Sequence, residues 1–365
     1  MKVQKGIIPH SNHLVWMVLD DDYLPIEPIE KYLHYLDNVG RSPNTIGTYA
    51  HNLKLFWEFL RDSKLDWRSL NMEQLSDFIH WLRNPNSGVL SITAQVSKRS
   101  EKTINHCLTT VSGFYEFQER IGATQKIEVY RYQLQAGHKY KSFLHHISKG
   151  KEVKKRLLKI KEPKTFPGCL TPEQVNILIE ACNTLRDKFL IRLLYETGLR
   201  IGEALGLRHE DMVTAKTNEI HVVPRFNNVN NARGKSGVER VVHVSKELMQ
   251  WYSAYLIEEY PEDIDCDFVF VVIKDSVKGK VGTPLTYKTI DSLFRRLSKK
   301  TEIKVNPHLM RHTHATELIR SGWEMSYVQK RLGHADIQTT VNTYVHLNDK
   351  DLVEYQKYLQ FRGEQ

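Results

Sequence analysis

Cysteine is scarce in this 365-residue chain: four are present, Cys107, Cys169, Cys182 and Cys266, none spaced as CxxC. That excludes a zinc ribbon and a disulfide framework, and reads as a reduced, intracellular protein. Long apolar runs are missing as well. The longest, 14–19 and 268–273, fall far short of the ~20 residues that cross a bilayer. The start, Met1 to Gly6, leads into no apolar stretch with a small-residue cleavage site, so no signal peptide is expected. There is no GxxxxGK[ST] loop and no compact acidic cluster, hence neither a P-loop nor a two-metal centre. Repeats and low-complexity segments are also absent. What remains, 41% hydrophobic and 26% charged residues, is the composition of an ordinary folded chain. At roughly 100–200 residues per domain the length implies two domains or three.

Positive charge is in excess. Lys and Arg number 52 against 43 Asp and Glu, a formal net charge of +9, and a basic chain of this size points to a polyanion. A scattered solvated surface would give the same total, so clustering decides. Lys149, Lys151, Lys154, Lys155, Arg156, Lys159, Lys161 and Lys164 crowd one short stretch against only Glu152 and Glu162. Nucleic acid becomes the leading partner.

Periodicity organises the chain. Residues 14–19 read as a strand, inside an extension over 1–27. Ile29, Tyr32, Leu33 and Leu36 then recur at helical spacing, with Gly40 as the stop. Ser42-Pro43-Asn44-Thr45 opens a second helix, carrying Ile46, Tyr49, Leu53, Phe56 and Leu60 on one face. Residues 70–82 and 101–120 give two more, the last with Ile104, Leu108, Val111, Tyr115 and Phe117. Residues 28–125 thus form an all-α domain, and 126–165, lacking a clean period, a basic linker. A second domain spans 166–346. It opens at Thr171-Pro172-Glu173 with helices near 172–182 and 185–197. Strand-like runs 219–225 and 239–245 follow, with a polar loop between them, and helices return near 247–259, 287–300, 307–320, 326–332 and 339–346. Residues 347–365 form an amphipathic tail helix.

Several short words could carry chemistry. Asn306 can cap a helix with Pro307 in its first turn, making His308 and Arg311 neighbours on one face. Leu332-Gly333-His334 reads as a helix end that throws His334 into a turn. Thr197 to Leu205 is a helix end, an arginine (Arg200) and a new helix start. Arg233-Gly234-Lys235 sits in the polar loop between the strands, and Tyr344 lies in the 339–346 segment. Each alone has a bland reading, as a solvated pair, a packing tyrosine or a solvated turn.

Taken in order, Arg200, Lys235, His308-x-x-Arg311, His334 and Tyr344 resemble the active-site signature of the tyrosine recombinases, the phage-integrase and XerC/XerD-like family. Ser42-Pro43-Asn44-Thr45-Ile46 and Thr103-Ile104-Asn105 are similar to that family's core-binding domain. The phrase Val341 to Leu347 looks most like transposases of site-specific transposons. The resemblance covers about residues 28–348. It implies a mostly α fold with a small β component: an all-α core-binding domain and an α+β catalytic domain, closing as a C-shaped clamp on DNA. It also implies DNA contacts through Asn44, Thr45, Lys102, Asn105, Lys154, Lys155 and Arg156. The expected partners are double-stranded recombination sites, a homo-tetramer on DNA and accessory recombination proteins, with no membrane, no metal and no cofactor. The expected location is the cytoplasm, at the nucleoid.

The resemblance also gives roles that the chemistry justifies. Phosphodiester cleavage must neutralise charge as the phosphorane develops, and the planar forks of Arg200 and Arg311 suit the non-bridging oxygens. Tyr344 is the nucleophile, forming a 3′-phosphotyrosyl bond. Lys235, on a mobile hairpin tip, protonates the leaving 5′-oxygen, with Arg233 its nearest competitor because the loop is long. His308 and His334 bond the phosphate or help move the tyrosyl proton. Glu203, one turn beyond Arg200, is expected to act through its neighbours. Three other readings stand beside this one. A Xer-type resolvase of chromosome dimers shares the whole signature. A type IB topoisomerase generally has lysine where His308 stands. A helix-turn-helix regulator fits residues 326–346 but leaves Arg200, Lys235 and Tyr344 without purpose.

Overall fold

The computed structural model describes residues 1–7, 14–84, 97–124, 130–134, 152–156, 158–163, 168–213, 217–234, 237–262, 264–275 and 279–333. Two units are present, Met1–Lys164 and Thr165–Gln365.

In the first unit, β1 (Lys2–Ile7) pairs antiparallel with β2 (Leu14–Leu19). Four helices follow: α1 (Glu27–Asn38), α2 (Pro43–Asp62), α3 (Met72–Arg83) and α4 (Glu101–Arg120). Their starts are chemically marked. Ser42 accepts from the Thr45 N–H with Pro43 behind it, Asn71 and Gln74 form a reciprocal capping box, and Ser100 accepts from the Thr103 N–H. Ile29, Leu53, Phe56, Phe78, Ile104 and Phe114 form the core. Val18 is buried in that core with Val3 and Trp16 packed against it, so the opening hairpin is part of the unit. The ring of Tyr49 meets His106, Asn52 Nδ2 donates to Thr110 Oγ1 at 2.9 Å, and Phe56 meets Tyr115. Contact positions therefore rise together along α2 and α4, and the two helices run parallel with their N-termini at one end.

The stretch read as a linker contains two strands, β3 (Tyr130–Leu134) and β4 (Glu152–Arg156), paired antiparallel with Tyr130 opposite Arg156. Lys154, Lys155 and Arg156 lie on β4. The chain then returns to the helices, with Leu158 and Ile160 packed on their core.

Asn105 fastens that return. Its Nδ2 donates to the Ile160 carbonyl at 2.8 Å and to Glu162 Oε1 at 2.7 Å, and its Oδ1 accepts from the Ile160 N–H at 2.9 Å. The DNA contact expected of Asn105 is corrected here: it is buried and both ends of its amide are occupied inside the unit.

The second unit begins with α5 (Pro172–Glu180) and α6 (Leu185–Thr197), then the single turn α7 (Ile201–Ala204). A three-stranded antiparallel sheet follows, in the order β5 (Met212–Val213), β6 (Glu219–Val222), β7 (Arg240–His243). β6 is shorter than its pattern suggested, because Pro224 offers no N–H to continue the ladder. Then come α8 (Lys246–Glu258), α9 (Tyr287–Thr301), α10 (Pro307–Arg320) and α11 (Met325–Leu332). The core is built on α6, where Phe189, Leu190, Ile191, Leu193 and Leu194 are all buried. Among the described residues no helix is long and apolar enough to cross a membrane.

Asn105→Ala should destabilise the protein by about 1–3 kcal/mol, the cost of leaving buried backbone groups unpaired. Urea unfolding of the full chain measures this. DNA affinity of the folded fraction should stay unchanged; a large affinity loss at unchanged stability would restore Asn105 to the interface.

Candidate active site

Two helix starts and one helix end meet in the second unit. Asn306 Oδ1 accepts from the Leu309 N–H at 2.9 Å and Pro307 fills the first turn of α10. His308 is therefore exposed in that turn, and Arg311, one turn on, is buried. Arg311 Nη1 donates to the Gly198 carbonyl at 2.6 Å and Nη2 to the Leu332 carbonyl at 2.7 Å. Arg200, at the start of α7, reaches the same place. Its Nη1 donates to the Leu332 and Gly333 carbonyls at 3.3 and 3.1 Å. The two guanidiniums thus converge on the last carbonyls of α11, groups that a helix leaves without internal partners. Gly333 ends that helix in the left-handed region, φ 62°. The positive φ favours glycine there, and a Cβ would press on the Arg240 guanidinium, 2.8 Å from its Nη1.

Glu203 closes the cluster. Its Oε2 accepts from the Arg200 N–H at 2.9 Å and from Arg240 Nη2 at 2.8 Å, while Oε1 accepts from Arg200 Nη1 and Arg240 Nη1, each at 3.1 Å. Burial alone would drive this carboxyl upward. The Arg240 and Arg200 guanidiniums and the Arg200 N–H outweigh it and hold the group at about 2. Arg240 Nε also donates to the Arg331 carbonyl at 2.9 Å. Arg331 in turn donates Nε to His314 Nε2 at 3.0 Å, and Nη2 to the carbonyls of Glu196 and His243 at 3.1 Å. Burial first, then the charge of Arg331, pushes His314 down to about 3, so its imidazole is neutral and free to accept.

Four guanidiniums thus share one hydrogen-bonded cluster with a single paired carboxylate among the described residues. Among the described residues of the cluster the surplus is positive. Arg200 has a quarter of its side chain exposed, and no described residue accepts from its Nε or Nη2. These two N–H-bearing atoms form an edge suited to two oxygens of one anion. No group of described His, Cys, Asp or Glu could hold a metal ion.

The structure brings together Arg200, Glu203 and Arg311, with His308 on the same helix as Arg311. Lys235, His334 and Tyr344 lie outside the described residues; His334 follows Gly333 directly. In the first unit, Asn44 and Lys102 are exposed and Thr45 half-buried, in the opening turns of α2 and α4. Those turns share one end of the unit. Sequence reasoning missed Arg240, Arg331 and His314. The words holding Arg331 and His314 were in view, but a lone arginine beside a strand or inside a helix carries no signal until its tertiary partners are known.

Two guanidiniums that converge on one helix end, one of them with an edge that no described residue takes up, suit the oxygens of an anion. The chain matches the Phage integrase family over residues 169–351 and the Phage integrase N-terminal SAM-like domain over residues 29–122. It belongs to the phage integrase family, the tyrosine recombinases. It is similar to transposase A of transposon Tn554 from Staphylococcus aureus, 45% identical over 362 residues, covering 99% of this chain and 98% of that one. Tyrosine recombinase XerA of Pyrococcus horikoshii is 26% identical over 326 residues, 89% of this chain and 91% of that one. Among solved structures, the Tn1549 transposon integrase in complex with a circular intermediate DNA shares the fold. Its TM-score is 0.58 at 19% identity, covering 87% of this chain and 94% of that one. XerH recombinase bound to palindromic difH substrate does so too, with TM-score 0.59 at 18% identity over 91% of this chain and 84% of that one.

Because the Glu203 carboxyl is held at about 2 against its usual 4.5, its ionisation favours the folded state above pH 4.5. That contribution fades as pH falls toward 2. Over this window the stability advantage of the parent over Glu203→Gln should shrink by about 3 kcal/mol. Urea unfolding at a series of pH values reads it, and an advantage that stays constant across the window means the carboxyl is not depressed.

Proposed function

We propose that this protein is a site-specific recombinase of the transposase kind, cutting and rejoining duplex DNA at the ends of a mobile element. The phenolic oxygen of Tyr344 attacks the scissile phosphorus and gives up its proton to His308 or His334. The P–O5′ bond breaks, and the departing oxygen keeps the bonding pair and takes a proton from Lys235. The 3′-phosphotyrosyl bond so formed retains the energy of the phosphodiester, so a 5′-hydroxyl rejoins it by the reverse steps with no nucleotide and no metal. Arg200 and Arg311 hold the non-bridging oxygens. As negative charge grows on the phosphorane, their donors are already in place, which is where most of the acceleration in such a site arises.

One observation carries this reading. Arg200 and Arg311 meet at the Leu332 carbonyl, and no described residue accepts from Arg200 Nε or Nη2. A regulator that only bound DNA would have no use for two arginines fixed from behind. The 45% identity to a transposase across nearly the whole chain favours transposition over dimer resolution. DNA is held away from the chemistry by Asn44, Thr45 and Lys102, at the shared end of two helix N-termini, and by the basic strand carrying Lys154, Lys155 and Arg156. Two sites must be joined, so the working form is a tetramer on DNA, in the cytoplasm at the nucleoid, with accessory recombination proteins.

Tyr344→Phe should bind its specific site with near-parent affinity and yield no covalent adduct on a nicked suicide duplex. Gel-shift titration and peptide mapping of trapped adduct provide the readout. Adduct persisting in Tyr344→Phe, mapped to Tyr355 or Tyr358, would displace the nucleophile.

A further inference from the structure

The loop between β6 and β7 is long, yet up to Arg233 it is fastened to the unit. Asn230 is buried, and its Nδ2 donates to the carbonyls of Leu205 and Leu285 at 3.0 and 2.9 Å, while its Oδ1 accepts from the Ala232 N–H at 3.0 Å. One residue on, the Arg233 N–H donates to the hydroxyl of Tyr287 at 3.3 Å. Tyr287 is the first residue of α9. Gly202, two residues past Arg200, lies against the same point: a Cβ there would collide with both the Arg233 carbonyl oxygen and the Tyr287 hydroxyl. One phenol oxygen, one loop peptide and the turn that follows Arg200 are therefore locked together. No described residue pairs with the Arg233 guanidinium, so what the lock fixes is its main chain.

We propose that Tyr287 is a positioning residue for strand cleavage, whose hydroxyl seats the Arg233 peptide on Gly202 and so sets where the loop delivers its proton donor beside Arg200. The inference rests on the reading of this loop as the source of the general acid. Two residues of chain span at most about 7 Å, so the anchor at Arg233 limits how far Lys235 can stray. The limit matters because proton transfer needs donor and acceptor within about 2.6–3.2 Å. The Tyr287 hydroxyl acts on the reaction through the loop.

The test uses the full chain and two suicide duplexes, one with an ordinary scissile linkage and one with sulfur in place of the bridging 5′-oxygen. A thiolate leaves without needing a proton, since a thiol ionises near pH 8.5. Single-turnover adduct formation is followed for the parent, Lys235→Ala, Arg233→Ala and Tyr287→Phe, with thermal unfolding and site affinity recorded for each. Tyr287→Phe removes one hydroxyl and should leave the last two unchanged. On the oxygen linkage it should slow cleavage by up to about 10²-fold, as a misplacement near 1 Å does. On the sulfur linkage it should return to the parent's own rate, as should whichever of Lys235→Ala and Arg233→Ala has lost the acid. If Tyr287→Phe cleaves the oxygen linkage at the parent rate, the proposal is wrong. It is equally wrong if the variant is slow on both linkages while a loop variant is rescued, because Tyr287 would then only support the fold. Rescue of neither loop variant would remove the general acid from this loop, and the role of Tyr287 with it.

Discussion

Glu203 keeps its charge although its side chain is almost wholly buried, and the rest of the site hangs from that ion. A lone buried carboxylate would be neutralised or expelled; this one survives because Arg200 and Arg240 grip both its oxygens. The grip works in both directions. It fixes the Arg200 backbone through the N–H at the start of α7 and turns one edge of its guanidinium inward. Through Arg240 it reaches the Arg331 carbonyl and so the last turn of α11. One carboxylate thus determines the relative placement of a turn, a strand and a helix end. Breaking such a pair on one side only leaves the other charge stranded, which is far more damaging than never having had the pair.

The end of α11 is where these constraints become chemistry. Carbonyls at a helix C-terminus carry partial negative charge and normally turn to water or to a capping residue. Here guanidiniums take them: Arg240 at Arg331, Arg200 and Arg311 at Leu332, Arg200 again at Gly333. These carbonyls help hold the guanidiniums in position without themselves cancelling charge, because each carbonyl is a dipole and not a charge. On the proposed reading, an arriving phosphate meets guanidiniums that are already fixed in place. That is the physical content of preorganisation in a site whose reaction moves negative charge onto non-bridging oxygens.

Much of this was legible in the sequence, for reasons that differ by residue. α2 announces itself by Ser42 and Pro43 and by an apolar face at the right period, and α10 by Asn306 and Pro307; the caps in the structure are those residues. Arg200, Glu203 and Arg311 were legible because their spacing within short words matches a known signature. The strands β1 and β3 were not. Lys2–Ile7 alternates weakly, and β3 and β4 pair across a long interval in which the charge run hides any period of two. Asn105 misled because an asparagine near a helix start looks available, and only the returning chain at Ile160 shows that it is taken. Arg240, Arg331, His314 and Tyr287 act through partners far away in sequence, and no local pattern encodes such contacts.

On the proposed reading, Arg200 and Arg311 serve the negative charge on the non-bridging phosphate oxygens. Replacing one of those oxygens by a methyl group at the scissile position gives a neutral linkage with the same leaving group. Covalent adduct formation on that linkage, measured for Arg200→Ala and Arg311→Ala beside the parent, tests this role. Each variant should be strongly defective on the ordinary phosphate and should recover most of its deficit on the neutral linkage. If both variants stay as defective on the neutral linkage as on the charged one, the arginines hold the fold and the account of the site is wrong.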